Sequence, residues 1–105
     1  MSASDQNQSI PVNQLPPEFW ERVDKVIELA NEQAKQCSIG EMGLSLIYAV
    51  ARYNAFEVAR TTGNKQTMET AKEEAIQHFI TQYDKMLNAN MDDYIGNYDS
   101  YLEKV

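Results

Sequence analysis

The chain is poor in the residues from which most small-protein chemistry is built. Its 105 residues hold one cysteine, one histidine, one tryptophan, four glycines and three prolines. Cys37 alone cannot close an internal disulfide, and without a CxxC pair or a Cys/His group no zinc framework is encoded, which suits a reducing compartment. Di-iron helical proteins draw a Glu-x-x-His from each of two helices, whereas the single histidine here, His78, has Ala75 three positions before it. Metal sites of that kind are ruled out, and no cofactor is expected. The glycines stand apart, none in a GxGxxG or GxxxxGK setting, so a phosphate-binding loop is absent as well.

Positive charge is also scarce. Lys and Arg total 9 against 16 Asp and Glu, a net charge of -7, so phosphate-rich partners meet repulsion instead of counterion release. Nucleic acid and anionic membrane are therefore not expected partners. The longest apolar run, LSLIYAVARYNAFEVA from Leu44 to Ala59, is interrupted by Arg52, Asn54 and Glu57, too soon for a membrane span. The opening MSASDQNQS has neither a basic n-region nor an apolar h-region, so a cytoplasmic protein is expected.

What the chain does carry is helical periodicity. Hydrophobic residues make up 43% and charged residues 24%, ordinary values for a globular chain of one domain. Residues 1–15 are rich in Ser, Gln and Asn and read as a disordered tail. From Pro17, Phe19, Val23, Val26, Ile27, Ala30, Ala34 and Cys37 recur at spacings of three and four, drawing one apolar stripe along a helix of about five turns. Cys37 reads as a small hydrophobe on that stripe. A second helix, from about Glu41 to Arg60, is apolar on almost every side and is expected to be central, surrounded by the others. A third starts near Thr67 and buries a stripe through Phe79, Tyr83 and Leu87. Asn88-Ala89-Asn90 reads as its stop and a fresh N-cap, with Asp92 and Asp93 in the first turn of a last helix. No strand pattern appears. The expected fold is all-α: a small antiparallel bundle of three long helices plus a short C-terminal helix, forming one domain over residues 16–105.

Two groups of residues are candidates for function. Projected at 100° per residue, Asn54 is the one polar group on a greasy face of the second helix and needs a hydrogen-bond partner. Arg52 falls in a more hydrophilic sector, where its head meets Glu41, a carboxylate of another helix, or the face of Tyr48. These two tune packing or, in the alternative reading, line a polar pocket for a small molecule or an enzyme substrate. The other group is Tyr94, Tyr98 and Tyr101 in NMDDYIGNYDSYLEKV, joined by Trp20 at the edge of the first stripe and Leu29 outside it. Tyrosine offers large amphipathic contact area at low entropic cost, so these five are candidates for a protein partner or a homo-oligomer. No residue set is a candidate for catalysis.

The segments PEFWERVDKVIELANEQ, LSLIYAVARYNAFEVA and HFITQYDKMLNANMDDYIGNYDSYL, taken in order, resemble a family of short bacterial proteins classed only as a domain of unknown function, number 3144. The likeness spans roughly residues 16–102. It implies a small helical bacterial protein that is not secreted, and it brings no activity, cofactor or site residue with it.

Overall fold

In the computed structural model of the chain, residues 14–102 are described; residues 1–13, with most of the expected tail, and residues 103–105 lie outside them. The described residues form helices and no strand: α1 Pro17–Gln33, a 3-10 turn Ala34–Gln36, α2 Ile39–Thr62, α3 Lys65–Gly96 and α4 Tyr98–Leu102. The expected number of helices, three long and one short, is found. The chain divides into two units, residues 1–55 and 56–105.

Local chemistry explains each boundary in the first unit. Pro16 is extended (φ -68, ψ 159) and Pro17 occupies the first turn of α1, where a missing N–H costs nothing. At Ala34 the helix tightens into the 3-10 turn, and Cys37 follows in extended backbone (φ -154, ψ 178). The tightened turn shifts the helical phase. Cys37 therefore leaves the stripe and is an exposed free thiol, not the packed hydrophobe expected.

Ser38 and Glu41 open α2 as a capping box. The Glu41 N–H donates to Ser38 Oγ at 3.0 Å, and the Ser38 N–H donates to Glu41 Oε1 at 2.9 Å. Two orphan donors of the first turn are satisfied reciprocally. The hydrogen bond that it accepts from the Ser38 N–H, and after that the Ser38 side chain, hold the Glu41 carboxyl below the ordinary carboxylate range. Glu41 is thus engaged by its own helix start.

In the second unit, Gly63 stops α2 with φ 81, the left-handed conformation that glycine adopts most cheaply. Asn64 then caps α3, its side chain accepting from the Thr67 N–H at 2.9 Å. The expected stop at Asn88-Ala89-Asn90 does not occur: α3 runs through it to Gly96. Asn88 Nδ2 donates to the Asp84 carbonyl at 2.8 Å and Asn90 Nδ2 to the Met86 carbonyl at 2.7 Å. Both side chains bond back to the preceding turn rather than cap a new one. With no Pro or Gly in that tripeptide, nothing else halts the helix. Asp92 and Asp93 consequently lie near the end of α3 instead of at a helix start.

Burial departs furthest from expectation. Ala30 is the one buried residue among the described ones. Around the α1–α2 turn Ala34, Met42, Gly43 and Leu46 are half-buried; around the α2–α3 turn Val58, Thr62, Met68 and Ala71 are. Away from the turns Val23 on α1 and Ala75 and Phe79 on α3 are half-buried, while Val26 and Ile27 on α1, Ile47, Val50 and Phe56 on α2, and Ile80 and Tyr83 on α3 are exposed. No residue of α2 or α3 is buried. Among the described residues α2 thus keeps most of its side chains exposed. A helix apolar on all sides needs neighbours on all sides, and each of the other two long helices brings a single stripe.

Replacing Ser38 by Ala removes the cap of α2 and should cost about 1 kcal/mol, read as a lower unfolding midpoint by circular dichroism. Because the Glu41 pKa is depressed on folding, its contribution is complete above the ordinary carboxylate range and is lost as pH falls through the lowered value. The gap between Glu41→Gln and the natural chain should therefore narrow in acid. Equal midpoints at neutral pH would contradict the capping box.

Candidate functional site

The five partner candidates all lie in reach of solvent. On α1, Trp20 is 42% and Leu29 62% exposed. The Phe19 and Trp20 rings meet edge to face, centroids 4.9 Å apart, a favourable aromatic geometry. Leu29 stands on the solvent side, as its place outside the stripe predicts.

The three tyrosines separate into a pair and a single. α3 ends at Gly96, and Asn97 (φ -124, ψ 29) breaks the helix for one residue before α4 begins. In a straight helix residues seven apart are displaced by about 10 Å along the axis. The break at Asn97 instead lets Tyr94 and Tyr101 stack, with centroids 4.3 Å apart and planes 19° from parallel. The Tyr101 hydroxyl donates to Asp93 Oδ2 at 2.6 Å, while Asn97 Nδ2 donates to Asp93 Oδ1 at 2.9 Å and to the Asp93 carbonyl at 3.0 Å. Tyr98, the first residue of α4, is exposed beside this clasp.

Asp93 is the pivot of the arrangement. A carboxylate in the last turn of a helix opposes the helix dipole, and the Asn97 and Tyr101 donors offset that cost. In return, the hydrogen bond to Asp93, followed by desolvation and by the Asp93 charge, raises the pKa of the Tyr101 phenol. Sequence reading found the tyrosines but missed Asp93 and Asn97. Their signal was present as an Asp-x-x-x-Asn pair with a tyrosine eight positions after the aspartate. The assignment of Asp93 to a helix start concealed it.

On α2, the Arg52 guanidinium sits over the Tyr48 ring, 5.3 Å from its centroid, which is one of the three arrangements its sector allowed. Asn54 is half-buried. The His78 ring, also half-buried, lies against Phe79 at 5.3 Å, a boundary position on α3. Among the described residues no three His, Cys, Asp or Glu side chains gather as a metal ion would require. No helix among them is long and apolar enough to cross a membrane.

Amphipathic and all-apolar helices, joined by capped turns and ending in a tyrosine-aspartate clasp, define a small all-helical protein whose apolar faces are its main surface feature. The chain belongs to the family described as Protein of unknown function (DUF3144), whose family model matches residues 19–95. No curated protein and no solved structure matches it. The matched span takes in nearly all of α1 and α3 and the whole of α2. It stops before Asn97, so Tyr98 and Tyr101 lie beyond it.

The clasp has a pH signature. A phenol whose pKa is raised on folding contributes stability in full below its ordinary value of about 10, and loses it as pH climbs through the higher folded value. Spectrophotometric titration in alkali should therefore contain a tyrosine component that ionises above the ordinary value. Tyr101→Phe should delete that component, and Asp93→Asn should return it to the ordinary range. A titration unaltered by either substitution would contradict the bond.

Proposed function

We propose that this protein acts by association: its helices bury their apolar faces on another protein chain, and it performs no chemistry of its own. The observation that carries this reading is the exposure of large apolar side chains along all three long helices, with Ala30 alone buried among the described residues. Isolated exposed hydrophobes are common, but continuous apolar faces on a water-soluble chain mark contact surfaces. On association the helices close into an antiparallel bundle, the arrangement that stripes of this spacing favour.

The supporting chemistry is consistent with that role. Tyr53 on α2 is 63% exposed, and Tyr94 and Tyr98 at the end of the chain are 50% and 60% exposed. Tyrosine is enriched where proteins meet, because the ring supplies area and the hydroxyl tolerates water before contact. Charge sets the kind of environment: with a net charge of -7 the protein stays away from polyanions, which fits a cytoplasmic protein partner.

A photoreactive phenylalanine analogue placed at Tyr48, 65% exposed on α2, should give covalent adducts heavier than the 12.0 kDa chain when irradiated in cells. The same group at Glu28, on the solvated face of α1, should give few. Absence of adducts from Tyr48 would refute association through α2, and equal yields from both positions would remove the role of the apolar face.

A further inference from the structure

We infer that the occupant of the open side of α2, formed by Leu44, Ile47, Tyr48, Ala51 and Ala55, is a second copy of this chain, docked face against like face. The inference rests on the association reading and names its partner. Coverage of α2 in the first unit is one-sided. Met42 and Leu46 are half-buried, whereas Leu44, Ile47 and Tyr48 keep 70%, 56% and 65% of their surface exposed. At 100° per residue the five named residues fall within one sector of about 100°. That sector holds no charged residue. Arg52 borders it, and its guanidinium is drawn over the Tyr48 ring.

Area, charge and shape point to a copy as the occupant. From their exposures, Leu44, Ile47 and Tyr48 offer roughly 400 Å² of surface on this face, taking about 200 to 250 Å² for each whole residue, and Ala51 and Ala55 beside them are exposed as well. A standard-size interface takes about 800 Å² from each partner, somewhat over half of it apolar. This face of α2 therefore supplies most of the apolar share of a stable dimer. A basic partner would be drawn to acidic groups, and the sector has none to offer. An uncharged stripe is instead the one part of a -7 chain where two copies meet without opposing like charges. Ala51 and Ala55 are small enough for two helices to approach closely, with Leu44 and Tyr48 flanking the contact. A copy also doubles the supply of amphipathic helices available to enclose α2, and closed two-fold contacts of this kind are the commonest among homo-oligomers.

Sedimentation equilibrium of the full chain tests this. The natural chain should have twice the mass of 12.0 kDa, and Ala51→Glu, which sets two carboxylates against each other, should weaken self-association at least about a hundredfold. Should Ala51→Glu not fold, the natural chain decides the matter alone, because the unfolding midpoint of an obligate dimer rises with protein concentration. A mass of 12.0 kDa with a concentration-independent midpoint overturns the inference, as does a dimer that Ala51→Glu leaves intact. A monomer that still forms adducts with other proteins from Tyr48 removes the second copy and leaves the association reading standing. A monomer that forms none removes both.

Discussion

The structure depends on one constraint: α2 is apolar around most of its circumference, and water is a poor neighbour for those sides of it. Burying an apolar side chain fully is worth about 1.5 to 3 kcal/mol, while ordering each residue of backbone costs about 1 to 2 kcal/mol. A helix of 24 residues is thus held in place only if many of its side chains are covered. Among the described residues its cover is partial: Met42, Gly43 and Leu46 near one turn, Val58 and Thr62 near the other, and Asn54 between them are half-buried. The middle of α2, from Ile47 to Tyr53, is the part with most to gain from a partner. Capping boxes and glycine stops fix where helices begin and end, but they do not cover side chains. The rest of the account follows from where that cover comes from.

How much of this was legible in the sequence divides along the same line. Periodicity revealed the helices because a stripe of Phe19, Val23, Val26 and Ile27 is a property of one segment and its 3.6-residue turn. Gly63 marked the end of α2 for the same local reason, and Arg52 found Tyr48, one of the partners its sector offered. The errors arose where competing local signals had equal standing. Asn88 and Asn90 are good caps by composition, yet their amides bond to the carbonyls of Asp84 and Met86, and α3 continues. Ser38 and Glu41 form the cap of α2, three residues ahead of the start that apolar periodicity placed near Glu41. Whether α2 is enclosed was not legible at all: a pattern states that a face is apolar, not which molecule covers it.

The C-terminal clasp shows how a candidate site is refined by geometry. Tyr94, Tyr98 and Tyr101 read as a single face, but Asn97 interrupts the helix and pairs two of them in a stack tied to Asp93. The stack organises the junction of α3 and α4 within the second unit, and it leaves Tyr98 presented to solvent. With the family match ending at residue 95, this junction is a feature of the present chain rather than one read from its relatives. Nothing in its chemistry calls for catalysis. A phenol held neutral by a carboxylate is a structural fastening.

The most direct test of the central claim is hydrogen exchange along α2 followed as the protein is diluted. If a second copy supplies the cover, amides from Ile47 to Tyr53 are strongly protected in concentrated protein and lose that protection on dilution, in step with dissociation. Protection of those amides that is equally strong at every concentration would show that the chain encloses α2 by itself, and would contradict the account.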